Sequence, residues 1–241
     1  MNMAILKRSL LPALVFAYFF YSPITAAAGG IDHPAPTLTR GGVSLGFEVD
    51  LSSRDVKFSD KKVEERNRAY GVKIGYGLMD RVNLFGLAGG ESVEDDEGFN
   101  GKPGRLFGGG AKIRLYQLED TTIGLTAQYR RFSSRDDDVA GISGFRFEST
   151  WNVYDVALGG STRISDSSFY GGLLFSTVNG VVDASSAFTP SEKAHFKESS
   201  PVGLFFGGDS ELAGRLRAGV ELRLINETSL TLRLNYPFGG Q

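Results

Sequence analysis

Along most of this chain apolar residues recur at every second position. Val43, Leu45, Phe47, Val49 and Leu51 share one parity, and Ser44, Gly46, Glu48 and Asp50 the other. Tyr70, Val72, Ile74, Tyr76 and Leu78 separate in the same way from Gly71, Lys73, Gly75 and Gly77, as do Ile123, Leu125, Ala127 and Tyr129 from Gly124, Thr126, Gln128 and Arg130. The division is cleanest near the C-terminus. There Leu216, Ala218, Val220, Leu222 and Leu224 oppose Arg215, Arg217, Gly219, Glu221 and Arg223, and Leu230, Leu232, Leu234 and Tyr236 oppose Thr231, Arg233 and Asn235. A period of two belongs to strands with one apolar and one polar face.

The pattern predicts ten strands, at roughly 42–53, 66–78, 82–92, 105–117, 121–133, 145–164, 168–182, 200–209, 214–225 and 229–238. Short connections such as Met79-Asp80-Arg81 and Ser165-Asp166-Ser167 alternate with longer ones near 54–65, 93–104, 134–144 and 183–199. An up-and-down antiparallel barrel with tight turns at one end and longer loops at the other produces this rhythm. The fold class expected is therefore an all-β transmembrane barrel of about ten strands, with eight as the alternative if the last hairpins are misread.

The N-terminus reads differently. Lys7 and Arg8 precede an apolar run from Leu10 to Tyr21, and Ala26-Ala27-Ala28-Gly29 follow. That order is a secretory signal peptide with cleavage after Ala28, Ala27 being the alternative. The run is interrupted by Pro12 and is shorter than the roughly 20 residues a spanning helix needs. The chain divides into a signal peptide (1–28), a periplasmic lead-in (29–41), the barrel (42–238) and a short tail (239–241). No later apolar run is long enough for a helix to cross a bilayer, so membrane residence requires a closed barrel.

Composition narrows the partners. The precursor holds 26 basic and 28 acidic residues, and losing Lys7 and Arg8 leaves 24 against 28. Neither balance suits a nucleic-acid partner, which calls for a basic patch. An exported chain without cysteine has no disulfide framework and no site for lipidation on a first Cys.

A soluble barrel also has one apolar and one polar face, turned the other way. Three features favour the membrane. The polar face mixes charges with glycines, which suits a narrow lumen. Tyr76, Tyr129, Tyr154, Phe169, Tyr236 and Phe238 fall near strand ends, where interfacial aromatic girdles lie. The apolar rows hold almost no charge, and a charge in mid-bilayer on that face would cost about 2–4 kcal/mol.

The stretch from Ala218 through Glu221-Leu222-Arg223-Leu224 to Asn235-Tyr236-Pro237-Phe238 resembles the last hairpin of small outer-membrane β-barrel proteins of the OmpA/OmpX-like type. The resemblance implies that the chain resides as a monomer in a Gram-negative outer membrane, in contact with its lipid and lipopolysaccharide. It also implies that Leu232, Leu234, Tyr236 and Phe238 form the signal read by the barrel-assembly machinery. Here Gly239-Gly240-Gln241 follow the Phe on which the family usually ends. Barrels of this kind serve as adhesins, anchors, narrow pores and lipid-modifying enzymes, so the resemblance points to location more than to activity.

The search for chemistry yields no catalytic, cofactor or metal site. His33 and His195 are the only histidines. Outer-membrane proteases of this size share an Asp-x-His pair, but Lys193 stands two residues before His195. His195 with Glu198 and Ser199 or Ser200 holds the residue types of an acyl hydrolase, yet nothing orients the ring, and a solvated loop histidine is the simpler reading. The acidic runs Glu91 to Glu97 and Asp136-Asp137-Asp138 lack the spaced ligands, glycine and closing Glu of a calcium loop and read as solvated loop. Gly104 to Lys112 fails as a phosphate loop, because Ala111 separates its glycines from Lys112 and Ile113 stands where Ser or Thr should be.

What remains is the lumen. Glu48, Asp50, Lys73, Lys112, Arg114, Arg130, Asp155, Arg215, Arg217, Glu221, Arg223 and Arg233 share the inward parity. Unpaired charges in so confined a space are costly, so a hydrogen-bonded network that crosses and largely blocks the lumen is expected. A narrow pore that favours anions is the alternative. Adhesion or another interaction would fall to the external loops, chiefly 54–65 and 183–199.

Overall fold

The computed structural model describes residues 29–59, 61–137, 145–186 and 192–238. The expected signal peptide 1–28, the expected tail 239–241, Asp138 and part of the 183–199 connection lie outside the described residues. The elements are β1 (Val43–Phe58), β2 (Lys61–Met79), β3 (Val82–Asp95), β4 (Lys102–Leu118), β5 (Thr121–Asp136) and β6 (Phe145–Ile164), followed by β7 (Ser167–Ser186), β8 (Glu192–Glu198), β9 (Val202–Ala213), β10 (Leu216–Leu224) and β11 (Glu227–Phe238). All pairings are antiparallel, and β11 returns to β1 in the register Val43↔Phe238 to Arg54↔Glu227, which closes the sheet into a ring. Ten of these strands are the ones the alternation predicts. The eleventh, β8, forms inside the connection expected as a long loop.

The outside of the ring carries a belt of exposed apolar side chains. It includes Val43, Leu45, Phe47 and Leu51 on β1, Tyr70 through Leu78 on β2, Tyr154, Val156 and Leu158 on β6, and Leu204 and Phe206 on β9. In water so large an apolar surface would drive association. In hydrocarbon it is the solvated face, and ring closure leaves no unpaired strand edge. On β1 the belt runs from 43 to 51, close to the roughly 9–11 residues with which a tilted strand crosses a bilayer.

Beyond the belt the strands continue and the apolar face changes sides. Val56, Val63, Val93, Leu106, Phe132, Trp151, Val178 and Phe196 point into the ring and form one buried cluster. Outward positions at the same level hold Glu64, Arg66, Arg105, Arg131 and Arg135, all exposed. Trp151 stacks on Phe132 with centroids 5.4 Å apart and meets Phe196 at 4.4 Å. This inversion corrects the sequence reading of the 54–65 connection. Most of that segment is strand, and β1 and β2 pair from Asp55↔Glu64 to Phe58↔Lys61. A sign change in the alternation imitates the end of a strand.

The ring also changes size along its axis. At the end that holds Val43 and Phe238, called here the near end, β7 pairs with β9 from Ser167↔Ser210 to Phe175↔Val202, and β9, β10 and β11 lead round to β1. At the far end β8 stands directly between β7 and β1, pairing Asn179↔Lys197 on one side and Val56↔Glu198 on the other. One strand there replaces three. Since barrel diameter grows with strand number, the wall narrows where its interior turns apolar.

Candidate functional site: a plugged lumen

Residues 29–36, expected as a periplasmic lead-in, run inside the ring. Seven of the eight are buried, Asp32 being the partly exposed one. The sequence Gly-Gly-Ile-Asp-His-Pro-Ala-Pro suits the position. Pro34 and Pro36 carry no N–H to satisfy in a buried segment without secondary structure. Gly30 passes close to β11, where an added Cβ would stand 3.0 Å from Thr231 Cγ2. Ile31 is fully buried in an apolar nest with Ala157, Tyr170, Leu174 and Phe205.

Many polar atoms of this plug meet partners on the wall. Glu221 accepts the Ile31 N–H through Oε1 at 2.8 Å and the Asp32 N–H through Oε2 at 2.7 Å. The Gly29 carbonyl accepts from Gln128 Nε2 at 3.2 Å and from Arg223. Lys73 donates to the Gly30 carbonyl at 3.4 Å and pairs with Glu48 at 3.0 Å. Asp32 is held between Lys112 at 2.9 Å and Arg233 Nε at 3.2 Å. His33 meets Asp209, which accepts from Arg217 Nε at 2.7 Å, and Thr126 donates to the Pro34 carbonyl at 3.1 Å.

A second layer of pairs joins the plug to the far end. Arg223, with no exposed surface, donates to Glu221 at 3.1 Å and to Glu227 at 2.7 Å. Glu227 also pairs with Arg54, whose other nitrogen reaches Glu198 on β8 at 3.0 Å. One guanidinium thus ties β1, β8 and β11 together where the ring narrows. Burial pushes the Glu198 carboxyl above its usual range, against the opposing pull of Arg54. Around the plug, cavities of about 40 and 280 Å³ remain, the larger at the near mouth beside Pro36 and Thr39. At the far end a cavity of about 370 Å³ is lined by Phe58, Val63, Phe99, Phe147 and Val182, with Glu65 among them.

Of the residues expected in the lumen, Glu48, Asp50, Lys73, Lys112, Arg130, Asp155, Arg217, Glu221, Arg223 and Arg233 are gathered there, all buried except the partly exposed Lys73 and Arg217. Two lie elsewhere. Arg114 is partly exposed near a turn and donates to Gln117 at 2.9 Å. Arg215 is exposed, because β9 ends at Ala213 and β10 begins at Leu216, which leaves it in the turn. Arg54, Glu91 and Glu227 were missed although they share the parity of inward neighbours. Asp32, His33 and Tyr170 were missed as well, and for Asp32 and His33 no periodic signal exists. On β11 Leu232 and Leu234 are partly buried and Tyr236 and Phe238 exposed, all on the outward row that pairs with Val49, Phe47, Leu45 and Val43.

The other chemistry does not assemble. His195 and Glu198 take opposite faces of β8, His195 exposed and Glu198 turned inward to Arg54. Asp95 accepts from the Glu97 and Phe99 N–H groups, both at 2.9 Å, and shapes the β3–β4 turn. Asp137 is held by Arg135 and Lys102, and the Arg135 hydrogen bond keeps its carboxyl below the usual range. Gly104 to Lys112 is part of β4, with Lys112 committed to Asp32. Asp32, His33 and Asp209 come within 4.8 Å of one another, but Lys112, Arg233 and Arg217 already neutralise the carboxylates and would repel a metal ion.

No protein-family model and no curated protein matches the sequence. Solved structures do match in fold. The translocator domain of the autotransporter NalP from Neisseria meningitidis superposes with a TM-score of 0.53 at 11% identity, covering 95% of this chain and 98% of that one. The outer membrane protease OmpT from Escherichia coli gives 0.51 at 11% identity, covering 87% and 100%. The fold is that of an outer-membrane β-barrel.

Proposed function

We propose that the protein is a monomeric resident of the Gram-negative outer membrane whose barrel is permanently plugged, serving as a structural or interaction scaffold rather than a pore or an enzyme. The observation that carries this reading is the grip of Glu221 on two consecutive backbone amides of the plug, at 2.8 and 2.7 Å, in a lumen sealed above by the Trp151 cluster. A solute would have to displace both.

The outer surface supports the location. Directly beyond the aromatic level of Tyr70, Phe107 and Tyr129, exposed Arg66, Arg105, Arg131 and Arg135 face outward at headgroup depth, where they suit the phosphates of lipopolysaccharide. The row Leu232, Leu234, Tyr236 and Phe238 is the segment offered to the barrel-assembly machinery before it pairs with β1, and it carries the likeness to the OmpA/OmpX-like type. Likeness of fold to OmpT brings no protease chemistry with it, since Lys193 stands where the Asp of an Asp-x-His pair would be. Binding partners would meet the far-end hairpins and β8.

Planar-bilayer recording of the purified protein tests the reading. No channel events above baseline are expected. Steady anion-selective conductance would replace the plug with the narrow pore.

A further inference from the structure

Besides Glu65 in the far-end cavity, two buried carboxylates of the ring interior are left without an ion pair among the described residues. Glu48, Asp32, Asp155, Glu221, Glu227 and Asp209 each form an ion pair with a cation of the wall. Asp50 and Glu91 form none with any described side chain, although both are buried, and Asp50 Oδ1 and Glu91 Oε2 accept no hydrogen bond. They lie close enough to feel each other's charge and that of Arg130 and Arg223. Those guanidinium groups are committed elsewhere, Arg223 to Glu221, Glu227 and the Gly29 carbonyl and Arg130 to Asp155. A buried carboxylate without a direct ion pair is costly to keep charged.

The residue beside Asp50 is Gly29, the first of the plug. An added Cβ there would stand 3.1 Å from Asp50 Oδ2 and would collide with the Arg130 guanidinium, so no side chain fits. The backbone nitrogen of Gly29 is bonded to the same Cα. In the sequence it follows Ala26-Ala27-Ala28, the small-residue stretch at which a signal peptidase cuts.

We propose that cleavage between Ala28 and Gly29 supplies the missing counter-ion: when the processed chain folds, the α-ammonium of Gly29 enters the lumen, docks on the Asp50 carboxylate, whose field reaches Glu91, and locks the plug. Water hydrolyses the Ala28–Gly29 amide bond, Ala28 leaves with the carboxylate, and Gly29 keeps the amine, which is protonated. The neutral amide becomes a cation with three donors at a place where acceptors stand open. An uncut chain would offer a single amide N–H there and would have to thread its leader past the network.

The test uses protein exported to the membrane from its full-length precursor. Intact mass and N-terminal sequencing are expected to give Gly29 as the first residue. The α-amine should resist an acylating reagent in the folded barrel, reacting at least about tenfold slower than after boiling, the factor that one pKa unit represents. Neither measurement needs a variant. Inserting Ser-Gln after Ala28, which adds no second A-x-A site, moves the ammonium by up to about 7 Å. It should lower the temperature at which the barrel loses its SDS resistance, and it should have no further effect in a chain already carrying Asp50→Asn and Glu91→Gln. A mature chain that starts elsewhere, a Gly29 amine that reacts at the unfolded rate, or independent effects of insertion and substitutions would each overturn the proposal.

Discussion

Glu221 and Ile31 are separated by 190 positions in the sequence and meet at 2.8 Å, the carboxylate accepting the backbone N–H. The same carboxylate accepts from Asp32 and pairs with Arg223, so its removal strands two amides and leaves the buried guanidinium with Glu227 as its one carboxylate partner among the described residues. Glu221→Ala is expected to cost about 3–5 kcal/mol, the range for breaking a buried ion pair from one side. Glu221→Gln, which keeps an acceptor, should cost less. Urea unfolding in lipid vesicles, followed through the single tryptophan Trp151, measures both.

The plug has an apolar anchor in Ile31, enclosed by Tyr170, Leu174 and Phe205. Ile31→Asp would place a charge in that nest with no partner, and the plug is expected to leave the lumen while the strand ladder stays intact. Planar bilayers should stay silent for this variant alone, because the Trp151 layer still closes the far end, and should show channel events once Trp151→Ala is added. Channel events from Ile31→Asp alone would place the seal in the plug.

Trp151 fills the interior beyond the belt, but its indole N–H has no acceptor. Its contribution is therefore bulk rather than hydrogen bonding. Trp151→Ala should destabilise by about 3–5 kcal/mol through the cavity it leaves. Trp151→Phe should cost much less, as judged by the temperature at which SDS resistance is lost.

Strand β8 is fastened by Arg54 to Glu198 at its end, and the pair responds to pH in a direction that the ion pair alone would not suggest. Burial lifts the Glu198 carboxyl above its usual range and outweighs the pull of Arg54 and of the Ser199 and Ser200 amides, so the folded state holds the proton more tightly than the unfolded chain. The stability this gives is complete below the ordinary glutamate value and is lost as pH rises through the raised one. Acidification from neutrality toward the ordinary glutamate pKa should therefore slow hydrogen exchange across β8, after correction for intrinsic rates, and Glu198→Gln should remove the effect. Arg54→Ala should speed exchange at both pH values.

The belt strands were legible because each shows one solvent, hydrocarbon, on one face and the packed polar lumen on the other, as at Leu216 to Leu224. Arg54 was read as loop because the strand around it changes solvent partway, with Leu51 facing outward and Val56 inward. The inward parity of Arg54 and Glu227 continued that of Asp50 and Ser229, and following it through the inversion would have found both. Nothing local marks Asp32 or His33. Their partners Arg233 and Asp209 lie at the other end of the sequence, and an eight-residue segment ending in Pro-Ala-Pro carries no period.

The change of face between Leu51 and Val56 on β1 recurs between Tyr70 and Ala69 on β2 and between Tyr154 and Val153 on β6. Together these crossings draw a waterline around the molecule. A barrel apolar outside along its whole length could bob by a turn or two in a bilayer of changing thickness. This one cannot sink without carrying Arg105 and Arg131 toward hydrocarbon, at a cost of up to about 2–4 kcal/mol each at the midplane, and cannot rise without exposing Phe47 and Leu204 to water. The height at which β8 and the far-end hairpins are held above the lipid is thus fixed by the wall itself.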